Sequence, residues 1–274
     1  MFSPLNILMK SRKRIAAQLV LLTVLAGFSF AGSAFQPLIT DDTGTQGRGG
    51  NQLELSLNED RTNAGGSIER LRTLPIVYTR GVTETLDVFA ALSRARIRSS
   101  TPRGDASGGG NPSFGVKWRF FEIEEAGTGF AVKPEIFFPI STGPERAGLG
   151  NGKTSGKLTL ILTQEVPFGA MHVNAGVGRD RYRDASDNPD TTRIRASIAP
   201  VWDLSDQWKL AFDLGTESAH AGGVSVRSNF AELGAVYAPR KDIDFALGIV
   251  RSTDNENPRA TKHTATAGII WRFR

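Results

Sequence analysis

From residue 51 to the C-terminus, the sequence repeats segments of about ten residues in which apolar and polar side chains alternate. In Ser113–Phe120, for example, Phe114 and Trp118 lie on one face, and Lys117 and Arg119 on the other. A period of two indicates β-strands. Alternate side chains of such strands can face lipid and lumen, while a closed sheet leaves no backbone polar group unpaired in hydrocarbon. The pattern therefore predicts an all-β fold, a transmembrane antiparallel β-barrel.

Twelve strands are predicted, an even number as in bacterial single-chain barrels. They cover residues 51–60, 70–80, 85–98, 112–123, 129–141, 155–166, 170–180, 192–203, 207–218, 227–238, 242–252 and 262–273. The links between them are expected to alternate between short and long. Because short turns are periplasmic and long loops extracellular in such barrels, we expect up-and-down topology with both termini in the periplasm. A soluble β-sandwich, the alternative, does not require this alternation.

The first 34 residues have the features of a secretory signal peptide. Basic residues precede an apolar core at residues 15–30, and small residues allow cleavage after Ala34. The core is shorter than the roughly 20 residues of a transmembrane helix. Cleavage removes four of the five net positive charges, so the remaining charge gives no support to nucleic-acid binding. The chain has no cysteine and hence no disulfide or lipoprotein anchor.

A periplasmic N-terminal segment, residues 35–50, separates the signal from the barrel, residues 51–274. It carries two adjacent acids, Asp41 and Asp42, among threonines and glycines. Three interpretations fit this composition: a plug or gate at the periplasmic mouth, a tether, or a cation site. Hard cations bind six or more oxygen ligands, and this segment has only two acidic residues, so the plug or the tether is favoured over the cation site.

Charged side chains of both signs are expected to face the lumen. The lumen-lining candidates are Lys117, Arg119, Lys133, Glu135, Glu165, His172, Arg193, Arg195, Asp213 and Glu232. Side chains can fill the lumen of a barrel of roughly 8 strands, whereas a barrel of 16 to 18 strands has a wide channel. Twelve strands fall between these sizes. These residues therefore either line a passage or pair across a filled interior. If a passage exists, the basic residues favour anionic solutes such as aromatic carboxylates.

An enzymatic barrel would need a serine, a histidine and a carboxylate or amide within hydrogen-bond reach. The histidines are His172, His220 and His263. We expect His172 to face Glu165 across a short turn as a structural pair, and neither other histidine has a convincing nucleophile partner. The three also lack the close spacing of metal ligands. The sequence therefore predicts no catalytic, cofactor or metal site.

Several segments together carry a resemblance to a known family. They are 36–47 (QPLITDDTGTQG), 78–83 (YTRGVT), 110–117 (GNPSFGVK), 131–135 (AVKPE) and 150–153 (GNGK). They resemble the outer-membrane family associated with the meta-cleavage pathway of phenol degradation, over essentially the whole mature chain. One departure is that Arg274 follows Phe273, whereas such barrels commonly finish on an aromatic residue that the assembly machinery reads.

The resemblance implies a porin-like channel in the outer membrane for passive entry of small aromatic or hydrophobic compounds, without enzymatic activity or cofactor. The implied partners are outer-membrane lipids, the barrel assembly machinery and the solutes, with no nucleic acid. Two alternatives remain open: a barrel enzyme that hydrolyses lipids or esters, and a structural barrel with a closed lumen whose long loops bind partners.

Overall fold

The computed structural model describes residues 37–100, 104–183 and 188–274. The predicted signal peptide and its cleavage site lie outside the described residues. The strands are β1 (Asn51–Ala64), β2 (Ser67–Gly81), β3 (Leu86–Ser99), β4 (Ala106–Gly109), β5 (Ser113–Ile123), β6 (Thr128–Phe137), β7 (Ser155–Val166), β8 (Gly169–Asp180), β9 (Thr191–Asp203), β10 (Trp208–Ala221), β11 (Val224–Arg240), β12 (Ile243–Asp254) and β13 (Thr261–Phe273). A short helix, α1 (Thr142–Arg146), follows β6, and a 3₁₀ turn at Glu124–Ala126 joins β5 to β6.

All neighbouring strands are antiparallel, and β1 pairs with both β2 and β13, which closes the sheet. The short strand β4 and the longer β5 occupy one position in the wall, because both pair with β3. The predicted barrel of twelve spanning positions is thereby confirmed. In the part of the chain that the structure describes, no helix has the length and apolar character needed to cross a membrane.

Two predicted loops are tight hairpins instead. β1 and β2 continue to a two-residue turn at Gly65-Gly66, and β10 and β11 to one at Gly222-Gly223. All four glycines have positive φ, between 54° and 85°, a conformation that costs other residues more. The expected alternation of short and long links is therefore wrong at these two places, because polar residues prolong the strands past the roughly 9–11 residues that span a bilayer.

A third difference is a break in one strand. The prediction of a continuous strand over 112–123 misses β4, which precedes it, and the interruption at Gly110–Pro112 between them. The proline lacks an N–H for the ladder, which explains why pairing stops there. Residues 139–141, predicted to extend the next strand, follow the end of β6 at Phe137.

The two faces of the barrel have inverted polarity relative to a soluble protein. Large apolar side chains such as Leu160, Ile194 and Leu247 are exposed on the outside, whereas many inward side chains are polar and buried. Aromatic pairs lie near the short turns, including Trp208 and Tyr237, whose ring centroids are 4.6 Å apart. Interfacial aromatics and an outer apolar band are features of a membrane-spanning barrel.

Candidate functional site

The lumen is occupied by the N-terminal segment. Residues 37–46, which we call the plug, have no helix or strand of their own. Their backbone N–H groups donate to wall side chains from five strands: Ile39 to Glu232 at 3.2 Å, Thr40 to Asp213 at 2.7 Å, Asp41 to Asn174 at 2.7 Å, Thr43 to Thr163 at 3.0 Å, and Gln46 to Asp87 at 3.0 Å. Because buried N–H groups need acceptors, these side chains replace the ladder that the plug lacks.

Thr40 is the most completely buried anchor of the plug. Its side chain is fully enclosed, and its Oγ1 lies 2.8 Å from Asp213 Oδ1 and 2.6 Å from Ser197 Oγ. A hydroxyl has one hydrogen, so Thr40 donates to the carboxylate and accepts from the serine. Next to it, Leu38 packs into a small apolar cluster of the wall, formed by Ala199, Val201 and Ala211. The plug is therefore held by both polar and apolar contacts.

Asp41 is the more deeply buried of the two acids of the plug. Its carboxylate accepts from Lys117 at 3.0 Å and from Lys133 at 2.7 Å, and Asp42 lies 3.3 Å from Lys117. Asn174 also donates to the Asp41 carbonyl at 2.8 Å, so the amide clamps this residue from both sides. Burial raises the pKa of the Asp41 carboxyl, but the two lysines outweigh burial, and the pKa lies below its usual value.

Other lumen candidates form ion pairs with neighbouring wall residues. Arg193 binds Asp180 at 2.7 Å and Glu217 at 2.9 Å, and Arg195 donates through Nε to the same Glu217 at 2.8 Å. Glu135 lies 3.3 Å from Lys157. These inward side chains are engaged by partners of opposite charge, which is the second of the two arrangements that the sequence left open.

Among the described residues, two further candidates make no direct hydrogen bond to the plug, although Arg119 donates to the Glu84 carbonyl that also accepts from Thr45. Arg119 forms a 3.0 Å ion pair with Glu122 beside a register shift in β5. Glu165 is exposed, close to the short turn after β7.

The predicted pairing of His172 with Glu165 is wrong. The turn between β7 and β8 is tighter than expected, since Val166 pairs with Gly169, and this register places His172 opposite Thr163. The His172 ring Nδ1 lies 3.0 Å from Thr163 Oγ1, the hydroxyl that accepts the plug's Thr43 N–H. His172 thus supports a plug contact.

Cavities remain on both sides of the plug. A cleft of about 60 Å³ lies toward the long-loop end, and its walls include Ile39, Lys157 and Arg195. A cavity of about 320 Å³ lies toward the short-turn end, where Gln52 and Arg272 contribute to its lining. Asp41 and Lys133 border both, so this ion pair stands between the two spaces.

The break between β4 and β5 interrupts the wall. Among the described strands, β4 pairs only with β3, so no ladder joins its other edge to the sheet. The side chain of Asn111, which lies in the break, bridges this gap. Its Nδ2 donates to the carbonyls of Phe138 and Asn151 at 2.7 and 2.8 Å, and its Oδ1 accepts from the Asn151 N–H at 2.7 Å.

An apolar cluster lies beside the break, on the inner face of the wall. Ile97 of β3 and Leu149 of the loop after β6 are almost fully buried in it. The cluster as a whole comprises Leu71, Ala95, Ile97 and Leu149, with Ala106, Ile140 and Ala147 packed against it. It contrasts with the charged and polar lumen around the plug.

Sequence reasoning missed several residues that hold these features. Asn174 and Thr163 are ordinary inward polar residues, and only the path of the plug reveals their contacts. Asn111 had a detectable signal, because Gly110-Asn111-Pro112 interrupts the alternation of a strand. That signal predicts a break but does not identify what crosses it.

Solved structures with a similar fold are membrane barrels. An outer membrane channel from Pseudomonas putida F1 is 12% identical, with a TM-score of 0.68, and the alignment covers 85% of this chain and 98% of that one. The translocator domain of the autotransporter NalP from Neisseria meningitidis is 17% identical, with a TM-score of 0.53 and coverage of 85% and 91%. At these identities the likeness establishes the fold.

Sequence comparison adds the family. No curated protein matches the chain in sequence. The family model described as "Putative MetA-pathway of phenol degradation" matches residues 19–273, nearly the whole length of the barrel and its plug. The chain belongs to this family.

Proposed function

We propose that this outer-membrane barrel lets small, uncharged hydrophobic or aromatic compounds enter passively. The observation that carries the proposal is the apolar cluster beside the break in the wall, in a lumen whose centre is filled by the plug. The family's association with phenol degradation supports this class of solute, and the outer membrane channel among the structural neighbours supports passive passage. The end with the long loops is taken as extracellular.

The route through the centre of the lumen is unfavourable for such a solute. Displacing the plug breaks several buried hydrogen bonds to carboxylates and the Asp41 ion pairs. Each hydrogen bond to a charged group contributes about 1.5–3 kcal/mol, so the total exceeds what a small apolar solute can offset. We therefore propose that solutes enter from the extracellular loops, cross the apolar cluster and leave sideways into the bilayer at the break.

The charged lumen residues have a different role in this proposal. Because Arg193 and Arg195 share Glu217, and Lys117 and Lys133 share Asp41, these cations hold the plug and wall together. We propose that they do not select aromatic carboxylates. Uncharged phenols and hydrocarbons fit the apolar cluster better, since burial of apolar area supplies their binding energy.

A disulfide between the plug and the wall tests the route. The chain has no cysteine, and Thr40 and Ser197 meet through their hydroxyls, so Thr40→Cys with Ser197→Cys places two thiols side by side. In liposomes carrying the oxidised double variant, we expect phenol uptake to equal that of the wild-type barrel. The measurement is uptake of radiolabelled phenol, with protein-free liposomes as the background.

The reduced double variant is the matched control for the disulfide. Uptake that stops on oxidation and returns on reduction would show that solutes displace the plug, and would overturn the sideways route. Equal phenol uptake with and without any barrel would instead overturn the proposed function itself.

We propose that the Asn111 side chain gates the break in the wall, and Asn111→Ala tests this role. Loss of three hydrogen bonds loosens the loop that closes the gap, so we expect phenol uptake to rise several-fold. Asn63→Ala, at an exposed site near the β1–β2 hairpin, is the control and leaves uptake unchanged. A slower or unchanged rate in Asn111→Ala, with the barrel still folded, would exclude this residue as a gate.

An enzyme is the competing class of function. His172 contacts Thr163 beside the plug, so this buried histidine is not placed as a base for a lipid substrate at the long-loop end. We propose that the barrel has no hydrolytic activity. A serine that an alkyl fluorophosphonate labels in the folded barrel, but not after heat unfolding, would favour the enzyme.

A further inference from the structure

Arginines are concentrated on the outer wall of one side of the barrel. In cross-strand register, Arg251 lies opposite His263, His263 opposite Arg61, Arg61 opposite Arg70, and Arg70 opposite Arg98. All five alternate with buried lumen residues, and all are exposed. One continuous basic row thus crosses five neighbouring strands, from β12 through β13, β1 and β2 to β3.

The patch is wider than this single row. Arg72 and Arg96 lie opposite each other one step nearer the short turns, and Arg94 follows one further step down β3. At the outward positions of these five strands, all of which the structure describes, the one acidic residue is Glu59, which binds Arg72. We call the seven arginines and His263 the basic patch.

The basic patch lies at the edge of the apolar band. On β1, the outward residues Leu53, Leu55 and Leu57 precede Glu59 and Arg61. The first ten residues of β1 already provide the roughly 9–11 that span the hydrocarbon, so Arg61 falls at its outer boundary. The β1–β2 hairpin closes only a few residues later, at Gly65-Gly66. The row therefore lies at the level of lipid headgroups.

The opposite side of the barrel lacks this feature. In the register of β6 to β9, Ile136 lies opposite Gly156, Gly156 opposite Arg179, and Arg179 opposite Thr192. In that row the outward-facing cation is Arg179, and the Asp190 carboxylate lies 3.8 Å from its guanidinium group. Arginines that lie opposite one another in cross-strand register are thus found on the wall formed by β12, β13 and β1–β3, and not in this row of the opposite wall.

Directly opposed like charges destabilise a sheet unless a counter-charge lies between them. Arg61, Arg70 and Arg98 are such neighbours, with no acidic residue in their row. Guanidinium groups bind phosphate through two parallel hydrogen bonds, and a cluster of them suits a ligand that carries several phosphates. Long arginine side chains can also reach a headgroup plane from the wall.

We propose that the basic patch binds a phosphorylated glycolipid of the outer leaflet, whose phosphates bridge neighbouring arginines while its acyl chains cover the apolar band below. Through these arginines, one side of the barrel is held against a bound lipid. Through β3 the patch borders the break, because Arg94 lies opposite Gly109 and Arg96 opposite Ser107. Binding of the lipid does not depend on the proposed transport function.

The test compares lipid A with dephosphorylated lipid A. The refolded barrel in detergent is titrated with each, and bound lipid is counted by native mass spectrometry alongside the thermal midpoint. We expect the wild-type barrel to retain lipid A and to gain thermal stability from it. Dephosphorylated lipid A and inorganic phosphate produce neither effect, because binding needs both the phosphates and their anchorage in a lipid.

The variant Arg61→Gln/Arg70→Gln/Arg98→Gln lowers the affinity for lipid A about a hundredfold, since each arginine near an anionic surface contributes roughly a factor of five. Arg179→Gln, on the opposite wall, is the matched control and keeps wild-type affinity. Arg70→Gln alone serves if the triple variant does not refold. Retention of lipid A by the folded triple variant, or equal binding of the dephosphorylated lipid, would overturn the proposal, as would displacement of lipid A by a lipid-free acidic polysaccharide.

Discussion

Deletion of residues 37–46 is expected to convert a closed barrel into an ion-conducting pore. The plug fills the space between the two cavities, and without it water reaches both sides of the Lys117 and Lys133 ammonium groups. In planar bilayers, the full-length mature chain should stay at baseline, whereas the deletion variant should give discrete, long-lived conductance steps. Residues 47–50 are kept so that β1 begins as in the intact chain.

Thr45→Ala is the control for the deletion, because Thr45 contacts the carbonyl of Glu84 at the edge of the plug and should leave the barrel closed. Glucose and sucrose entry into liposomes provides a second readout of the same opening. A deletion variant that folds but conducts no ions would mean that loops, rather than the plug, close the lumen.

Asp41→Asn is expected to destabilise the protein by about 3–5 kcal/mol, because it removes the carboxylate that neutralises two buried lysines. The measurement is the free energy of unfolding in urea from lipid vesicles. Since the pKa of Asp41 is lowered from 3.8, its stabilising effect is fully present above pH 3.8 and disappears as the pH falls through the lowered pKa. Wild-type stability should therefore not lose this contribution between pH 7 and 5.

Asp42→Asn is the matched control, because Asp42 is more exposed and contacts one lysine at 3.3 Å. It should cost less than about 1 kcal/mol. Adding Lys133→Met to Asp41→Asn should restore part of the stability, since an apolar side chain needs no counter-charge. Equal losses in Asp41→Asn and Asp42→Asn would contradict the central place of Asp41.

The alternation of side chains was sufficient to predict the barrel and the orientation of its strands. Phe114 and Trp118 face outward and Lys117 inward, as expected, because a strand allows only two faces and lipid excludes charge from one of them. Strand ends were harder to predict. Beyond the hydrocarbon region of the bilayer, lipid no longer excludes polar side chains from the outer face. β1 and β10 therefore continue into Gly-Gly hairpins with outward polar residues.

The plug could be proposed but not placed. Asp41 and Asp42 suggested a plug or a tether rather than a cation site, and the sequence did not distinguish the first two. What distinguishes the plug is the pairing of Asp41 with Lys117 and Lys133, which lie 76 and 92 residues away from it along the chain. The contacts of Thr40 with Asp213 and of Ile39 with Glu232 span 173 and 193 residues. The local alternation of side chains carries no information on these long-range contacts, because they depend on the closed geometry of the whole sheet.

The error in the predicted partner of His172 has a local cause. His172 was expected opposite Glu165, two residues from its true neighbour Thr163, because the length of one turn decides which residues face each other across β7 and β8.

The path of the plug also bears on how the barrel forms. The plug is continuous with β1, yet Thr40 and Ile39 bind side chains of β10 and β11, close to the C-terminal end of the chain. The pairing of β1 with β13 closes the sheet and joins Asn51 to Phe273, which lie 222 residues apart in the chain. In a chain whose plug is bound to β10 and β11, the loop that this pairing closes is shorter and the entropy cost of closing it is smaller. The plug therefore favours closure of the barrel that encloses it.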